Sequence, residues 1–120
     1  NLLWSGTYYM TADHTATLSQ KISEQPHGIQ IVFSSYVDGA SVDQWFNSFF
    51  ISKKEIALLN SKGHNFTLSG GAVFEFIGAK YLYIHDDKIV GHDNNNKTGT
   101  GASGITYSNN KFVLRYVIGV

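Results

Sequence analysis

Histidine, carboxylate and aromatic side chains are the groups in this sequence with chemistry to offer, and their spacing decides which kind. His14, His27, His64, His85 and His92 fall in separate segments and never form a tight pair such as His-x-His, the spacing that sets two imidazoles on one metal ion. The chain has no cysteine, which excludes a thiolate metal site, a Cys nucleophile and a disulfide framework. His85 and His92 flank Asp86-Asp87-Lys88-Ile89-Val90-Gly91. A turn at Asp86-Asp87 would lay their strands side by side, and the imidazoles would then meet over an ion, a sugar hydroxyl or the neighbouring Asp side chains. Asp93-Asn94-Asn95-Asn96-Lys97-Thr98-Gly99 has the oxygen-rich start of a calcium loop. Lys97, however, stands at the fifth place, where an acceptor is needed, and no Glu follows at the twelfth, so an EF-hand-type site is rejected. No metal and no cofactor are expected.

Glycoside hydrolysis needs two carboxyl groups facing each other across about 5–10 Å. Asp86, Asp87 and Asp93 cluster at a turn and Glu75 falls on an expected strand, positions where carboxylates are usually solvated or turn-forming. Neither Gly-x-Ser-x-Gly nor a phosphate-cradling Gly-x-x-x-x-Gly-Lys-Ser/Thr occurs, so no nucleophile elbow or P-loop supports catalysis. The expectation is a protein that is not an enzyme. Lys and Arg number nine, as do Asp and Glu, for a net charge of zero with neutral His; this removes the basic footprint that nucleic acid or an anionic membrane surface would require.

Binding chemistry fits better. Saccharides are held by aromatic faces stacked on the sugar ring while amides, carboxylates and imidazoles take the hydroxyls, and such sites need little net charge. Tyr36-Val37-Asp38-Gly39-Ala40-Ser41-Val42-Asp43-Gln44-Trp45 is the densest such combination, read as a loop with aromatic ends. The candidate ligand-binding residues are Tyr36, Asp38, Asp43, Trp45, His64 and Asn65, with His92, Asp93 and Asn95 as a second group. Trp45 has an alternative role as core filling, since Trp45-Phe46 runs into Phe49-Phe50.

The elements that must position these groups are strands. The sequence is 120 residues long, 42% hydrophobic and 15% charged, proportions that suit one domain with a sizeable core. Aromatics reach 14% and join many Val, Ile and Thr, side chains that suit a pleated, half-buried surface. In Gly28–Ser35, Ile29, Ile31 and Phe33 alternate with Gln30 and Ser34, the period of a strand. In Lys80–His85, Leu82 and Ile84 point to the core, and Tyr81, Tyr83 and His85 point to a groove, a partner or solvent. In Phe112–Ile118, the set Phe112, Leu114, Tyr116 and Ile118 opposes Val113, Arg115 and Val117; a strand apolar on both faces is central in a sandwich or covered by another subunit.

Further strands are expected at Leu2–Met10, Ala16–Ser19, Trp45–Ile51, Phe66–Leu68, Val73–Ile77 and Lys88–Gly91. Turns are expected at Asp13-His14, Gln25–Gly28, Asp38-Gly39 and Gly70-Gly71. A long loop spans residues 94–104, and Ser108-Asn109-Asn110-Lys111 turns a closing hairpin over Gly104–Val120. Ser52-Lys53-Lys54-Glu55 is a capping box that starts one short helix near residues 53–59, with Ile56, Leu58 and Leu59 as its apolar side. The fold class is all-β, an antiparallel β-sandwich or jelly-roll-like domain over residues 1–120. A start at Asn1-Leu2-Leu3, without Met or a basic signal region, reads as a domain cut from a longer chain, and no run approaches the roughly 18 apolar residues of a membrane span.

Three strings carry a family likeness: Leu3-Trp4-Ser5-Gly6; Tyr81-Leu82-Tyr83-Ile84-His85-Asp86 with Ile89-Val90-Gly91-His92-Asp93-Asn94; and Gly104-Ile105-Thr106-Tyr107 to Tyr116-Val117-Ile118-Gly119-Val120. In this order they resemble the C-terminal head domains of tail-fibre, baseplate and receptor-binding proteins in phages and prophages of Gram-positive bacteria. The portion from Ser34 to Ala79 matches least, and receptor choice would reside there. The resemblance implies a β-sandwich head at the virion tail tip that assembles as a homotrimer, attaches to other tail or baseplate proteins through a missing N-terminal part, and adsorbs the virion to host cell-wall polysaccharide or teichoic acid. It supplies no catalytic residues. Val113, Val117 and Val120 would be subunit contacts, and Arg115, if buried there, would need a carboxylate partner. A purely structural trimerisation tip and a cell-wall polysaccharide hydrolase are the competing readings.

Overall fold

The computed structural model describes residues 1–120. Strands β1 (Leu2–Tyr8), β2 (Thr15–Thr17), β3 (Gly28–Val37), β4 (Ala40–Ser52), β5 (Gly63–Gly70), β6 (Phe76–Ile84), β7 (Lys88–Val90), β8 (Thr98–Thr100), β9 (Thr106–Ser108) and β10 (Phe112–Gly119) are joined by one helix, α1 (Lys53–Leu58), and three 3₁₀ turns. They form two four-stranded antiparallel sheets, ordered β1-β10-β3-β4 and β2-β7-β6-β5, with β8-β9 as a separate ribbon. The expected all-β, sandwich-like architecture is what the chain adopts. Ile29, Ile31 and Phe33 of the first sheet meet Phe66, Leu68, Leu82 and Ile84 of the second in one core, where Phe33 and Phe66 lie 5.6 Å apart. The alternation read in β3 and β6, joined by that of β5, therefore sets the core, because side chains two apart share a face.

The closing strand departs from simple alternation. Between Leu114↔Phe33 and Tyr116↔Val32 the register slips at Arg115, and a bulge of this kind inverts the sidedness of everything beyond it. Phe112, Leu114 and Val117 thus share the core, while Tyr116 and Ile118 are only partly buried. Val113 and Val117, expected as subunit contacts, are 1% and 0% exposed within the single chain, because β10 is central between β1 and β3. That is the first correction. Arg115 finds its carboxylate inside the chain: Nη1 lies 2.9 Å from Asp43 and donates to Ser34 Oγ at 3.1 Å.

Three other expectations are corrected. The stretch from Tyr36 to Trp45 is a β-hairpin whose strands run up to Asp38-Gly39, both at positive φ (53° and 79°), the geometry of a tight two-residue turn. Residues 43–46 bulge out opposite Ser34, with Trp45 at φ 57°. Val73 and Phe74 form no strand; they sit exposed at the tip of the β5-β6 hairpin, where Gly71 and Phe74 take positive φ. Nor is Gly104–Val120 a hairpin, since β9 pairs with β8 and β10 crosses to the other sheet. Helix α1 begins where the capping motif predicts, Ser52 accepting from the Glu55 N–H at 3.1 Å. Only Ile56 of its apolar residues is buried; Leu58 is 72% exposed.

Candidate functional site

The outer face of the β5-β6 pair carries a groove of about 580 Å³. Its floor follows from the same alternation that builds the core: Phe66, Leu68, Leu82 and Ile84 point inward, so Asn65, Thr67, Ile77, Ala79 and Tyr81 must point out. Asn65 stands opposite Tyr81 and Thr67 opposite Ala79. The other wall comes from His92, Asn94 and Lys97 and, on the β8-β9 ribbon, Tyr107 with Ile105 beside it. Tyr81, expected to face a groove, a partner or solvent, lines this groove.

Side-chain amides hold this wall to β6. Strand β7 pairs with β6 only at Tyr83↔Val90 and Ile84↔Ile89, and past it two asparagines occupy the edge. Asn95 Oδ1 accepts from the Tyr81 N–H at 2.7 Å, and its Nδ2 donates to Tyr81 O at 2.9 Å and Met10 O at 2.6 Å. Asn109 Oδ1 accepts from the Ala79 N–H at 2.8 Å while its Nδ2 donates to Asn94 O at 2.8 Å. Lys80 completes the attachment from the buried side. Its ammonium donates to the carbonyls of Tyr9 (3.0 Å), Asn95 (2.5 Å) and Asn109 (3.0 Å), with no carboxylate among its partners. Burial pulls the Lys80 pKa down to about 7, because a desolvated ammonium loses its hydration while carbonyl dipoles restore only part of it.

Two close approaches lay the aromatic residues in place. A Cβ at Gly63 would fall on the Tyr81 hydroxyl, and one at Gly99 would come within 2.9 Å of the Tyr107 hydroxyl, so each ring lies across a glycine. Gly91 lets the chain touch the Met10 carbonyl, where any side chain would collide with backbone. His92 N then donates to Met10 O at 3.0 Å, and the imidazole stands edge-on to Tyr81 with centroids 5.5 Å apart. His92 Nδ1 accepts from the Asn94 N–H at 3.1 Å, which assigns the proton of the neutral ring to Nε2 as an available donor. The polar ends of Asn65, Thr67, Tyr81, Asn94, Lys97 and Tyr107 line the groove and are committed to no hydrogen bond or ion pair within the chain.

The sequence-based candidates divide accordingly. Asn65 and His92 line the groove, as does Asn95, whose amide is fully engaged by backbone and whose surface is 1% exposed. Asp93 is exposed at the start of the 3₁₀ turn Asp93–Asn96 and does not line the groove. Tyr36, Asp38, Asp43 and Trp45 cluster instead on the β3-β4 hairpin of the other sheet. There Tyr36 packs edge-on against Tyr9 at 5.2 Å and Asp43 pairs with Arg115. His64 faces inward from β5, with Nε2 buried and unpartnered and Nδ1 3.8 Å from Glu55. His85 and His92 do not meet: His85 N–H donates to Lys88 O, whereas His92 stands opposite Tyr81, about 13 Å further along at roughly 3.3 Å per residue.

Because Nε2 is buried without a partner, its desolvation is uncompensated, and His64→Leu, which gives up only the long 3.8 Å contact with exposed Glu55, is expected to hold stability or raise it by up to about 1 kcal/mol. A thermal melt checks it, and a fall in the midpoint would show that the contact with Glu55 outweighs the unpartnered Nε2. Sequence reasoning did not name Thr67, Tyr81, Asn94, Lys97 or Tyr107 as site residues. Tyr107 had no local signal, since only pairing of β9 with β8 brings it to the groove.

No protein-family model, no curated protein and no solved structure matches this chain.

Proposed function

We propose that this domain is a saccharide-binding module whose ligand lies in the groove between the β5-β6 face and the β8-β9 ribbon. One observation carries the reading: Tyr81 and Tyr107 offer ring surface beside uncommitted amide, hydroxyl, imidazole and ammonium groups of Asn65, Thr67, Asn94, His92 and Lys97. Ring faces take the apolar side of a sugar, and polar groups at the rim take its hydroxyls. None of the fourteen lining residues is Asp or Glu, so this groove presents no carboxylate pair for glycoside hydrolysis. That favours binding without bond cleavage. In the setting suggested by the resemblance, the module is the head of a phage tail receptor-binding protein, a homotrimer on the virion that adsorbs to host cell-wall saccharide. A single site near millimolar strength, about 4 kcal/mol, becomes sufficient when several engage one repetitive polymer.

Fluorescently labelled domain added to intact Gram-positive cells and to purified wall polymer tests this reading. Tyr81→Ala and Tyr107→Ala are each expected to weaken binding at least tenfold, about 1.4 kcal/mol, with the fold retained by circular dichroism. Undiminished binding by both variants would move the site elsewhere, and shortened polymer products would replace a binding module with a hydrolase.

A structural oligomerisation tip is the second reading, favoured by the outer face of the β1-β10-β3-β4 sheet. The row Leu2, Ile118, Gln30 and Phe50 crosses all four strands without a charge, and Leu2 and Phe50 are each 54% exposed. Correct oligomers that bind no cell and no polymer would favour it.

A further inference from the structure

We infer that the end of the domain remote from both chain termini is a lipid-contacting tip, which seats Val73, Phe74 and Ile105 in the interface of a bilayer without net charge. Strand pairing fixes where that end is. Strands β3 and β5 run into their turns together, Ser35 meeting Gly70 across the sandwich, and β6 and β9 leave theirs together, arriving side by side at Gly78 and Ser108. The turns of the β3-β4, β5-β6 and β8-β9 ribbons therefore project the same way. At the opposite end Asn1 donates to Gly119 O, and Gly28 and Val120 exchange backbone hydrogen bonds. On the projecting turns Val73 is 81%, Phe74 73% and Ile105 56% exposed.

The backbone holds these side chains outward. Phe74 takes a φ of 49°, a left-handed conformation that a bulky residue adopts only at a cost, and its ring is left in water, where the fold gains nothing from it. Charge and area select the occupant. Residues 69–74 and 98–106 carry no charge. Around them stand Asp38, Glu75 and Lys111, the last lying over the Phe76 ring at 5.0 Å, so no basic patch draws an anionic bilayer. A stable contact with another protein takes about 800 Å² from each partner, more than three side chains supply when the largest offers roughly 200 Å². Side chains on separate turns would also each need a matched pocket in a rigid partner, whereas a fluid interface closes round them. Membrane affinity follows the apolar area inserted, and so small an area gives weak, reversible association.

The test is co-sedimentation of the labelled whole chain with vesicles of phosphatidylcholine alone and of phosphatidylcholine mixed with phosphatidylglycerol. The unaltered protein is expected to bind both to within about twofold, and to keep binding at roughly 0.5 M salt, which screens charges and leaves apolar insertion intact. Val73→Ser/Phe74→Ser should weaken vesicle binding at least tenfold, about 1.4 kcal/mol, with circular dichroism unchanged because both residues are exposed. Leu58→Ser removes a side chain as open to water, 72% exposed, from α1 at the opposite end, and should leave vesicle binding unchanged. The double variant should also bind wall polymer as before, since neither residue lines the groove, so the lipid and saccharide readings fail separately. No binding of the unaltered protein to phosphatidylcholine, binding confined to the phosphatidylglycerol mixture, or equal losses in the double variant and Leu58→Ser would overturn the inference. Self-association that the double variant abolishes, with no vesicle binding, would overturn it too and assign the tip to a second copy.

Discussion

Replacing Asn95 by Ala is expected to destabilise the protein by about 3 kcal/mol, since each buried backbone group left without a partner costs roughly 1–3 kcal/mol. The amide serves three backbone groups, but the losses are unequal. Met10 O keeps the His92 N–H as donor, whereas the Tyr81 N–H and C=O both lose their partner at the uncovered edge of β6. For a chain of this size the melting temperature should fall by on the order of 10 °C. Asn95→Asp tests the same geometry more sharply: it keeps the acceptor for Tyr81 N–H but sets an anion against two carbonyl oxygens, so it should fare no better than Ala. A melting temperature unchanged in Asn95→Ala, with ligand binding lost, would show instead a ligand contact, the role its residue type suggested at first.

Stability should also rise with pH above neutrality, against the habit of most small domains, and Lys80 is the cause. In the folded chain its ammonium gives up the proton around pH 7, while in the unfolded chain it holds the proton to about 10.4. Between these values the unfolded state binds one more proton than the folded state, so the free energy of unfolding climbs by at most about 1.4 kcal/mol per pH unit. Below about pH 7 the full cost of burying the charge is present; it is relieved as pH rises. From pH 7 to 9 this amounts to about 2 kcal/mol. Above that range Tyr9 opposes the trend, because burial and the neighbouring Tyr36 raise its pKa from 10.0, and its stabilising proton is lost as pH rises further. Urea unfolding at pH 7, 8 and 9 measures the slope, and Lys80→Met should flatten it. A flat profile in the unaltered protein would mean that the three carbonyls keep Lys80 charged throughout.

These two residues show how the groove wall is made. Asn95 and Lys80 fasten the two 3₁₀ turns, Asp93–Asn96 and Asn109–Lys111, to β6, and the wall bears Asn94, Lys97 and Tyr107. An Asn-rich stretch read as a loop is an ordered edge in which side-chain amides replace a missing strand. Local sequence cannot reveal this, because Asn suits turns, ligand sites and edge caps equally well until its partners are known.

What the order of residues determined unaided is the all-β class, the core-facing sets of β3 and β6 and the start of α1. Each depends on a period of two or on a motif four residues long, so near neighbours suffice to specify it. The outward set of Tyr81 was legible for the same reason. Tertiary structure alone decided where β8, β9 and β10 pair, which side Val117 faces, and which polar residues share a groove. Pairing of distant strands has no local period, and one extra residue at a bulge reverses every face beyond it. The β3-β4 hairpin residues Tyr36, Asp38, Asp43 and Trp45 therefore looked like a site and lie on the other sheet, while Tyr107, with nothing around it to mark it, stands across the groove from Asn65 and Thr67.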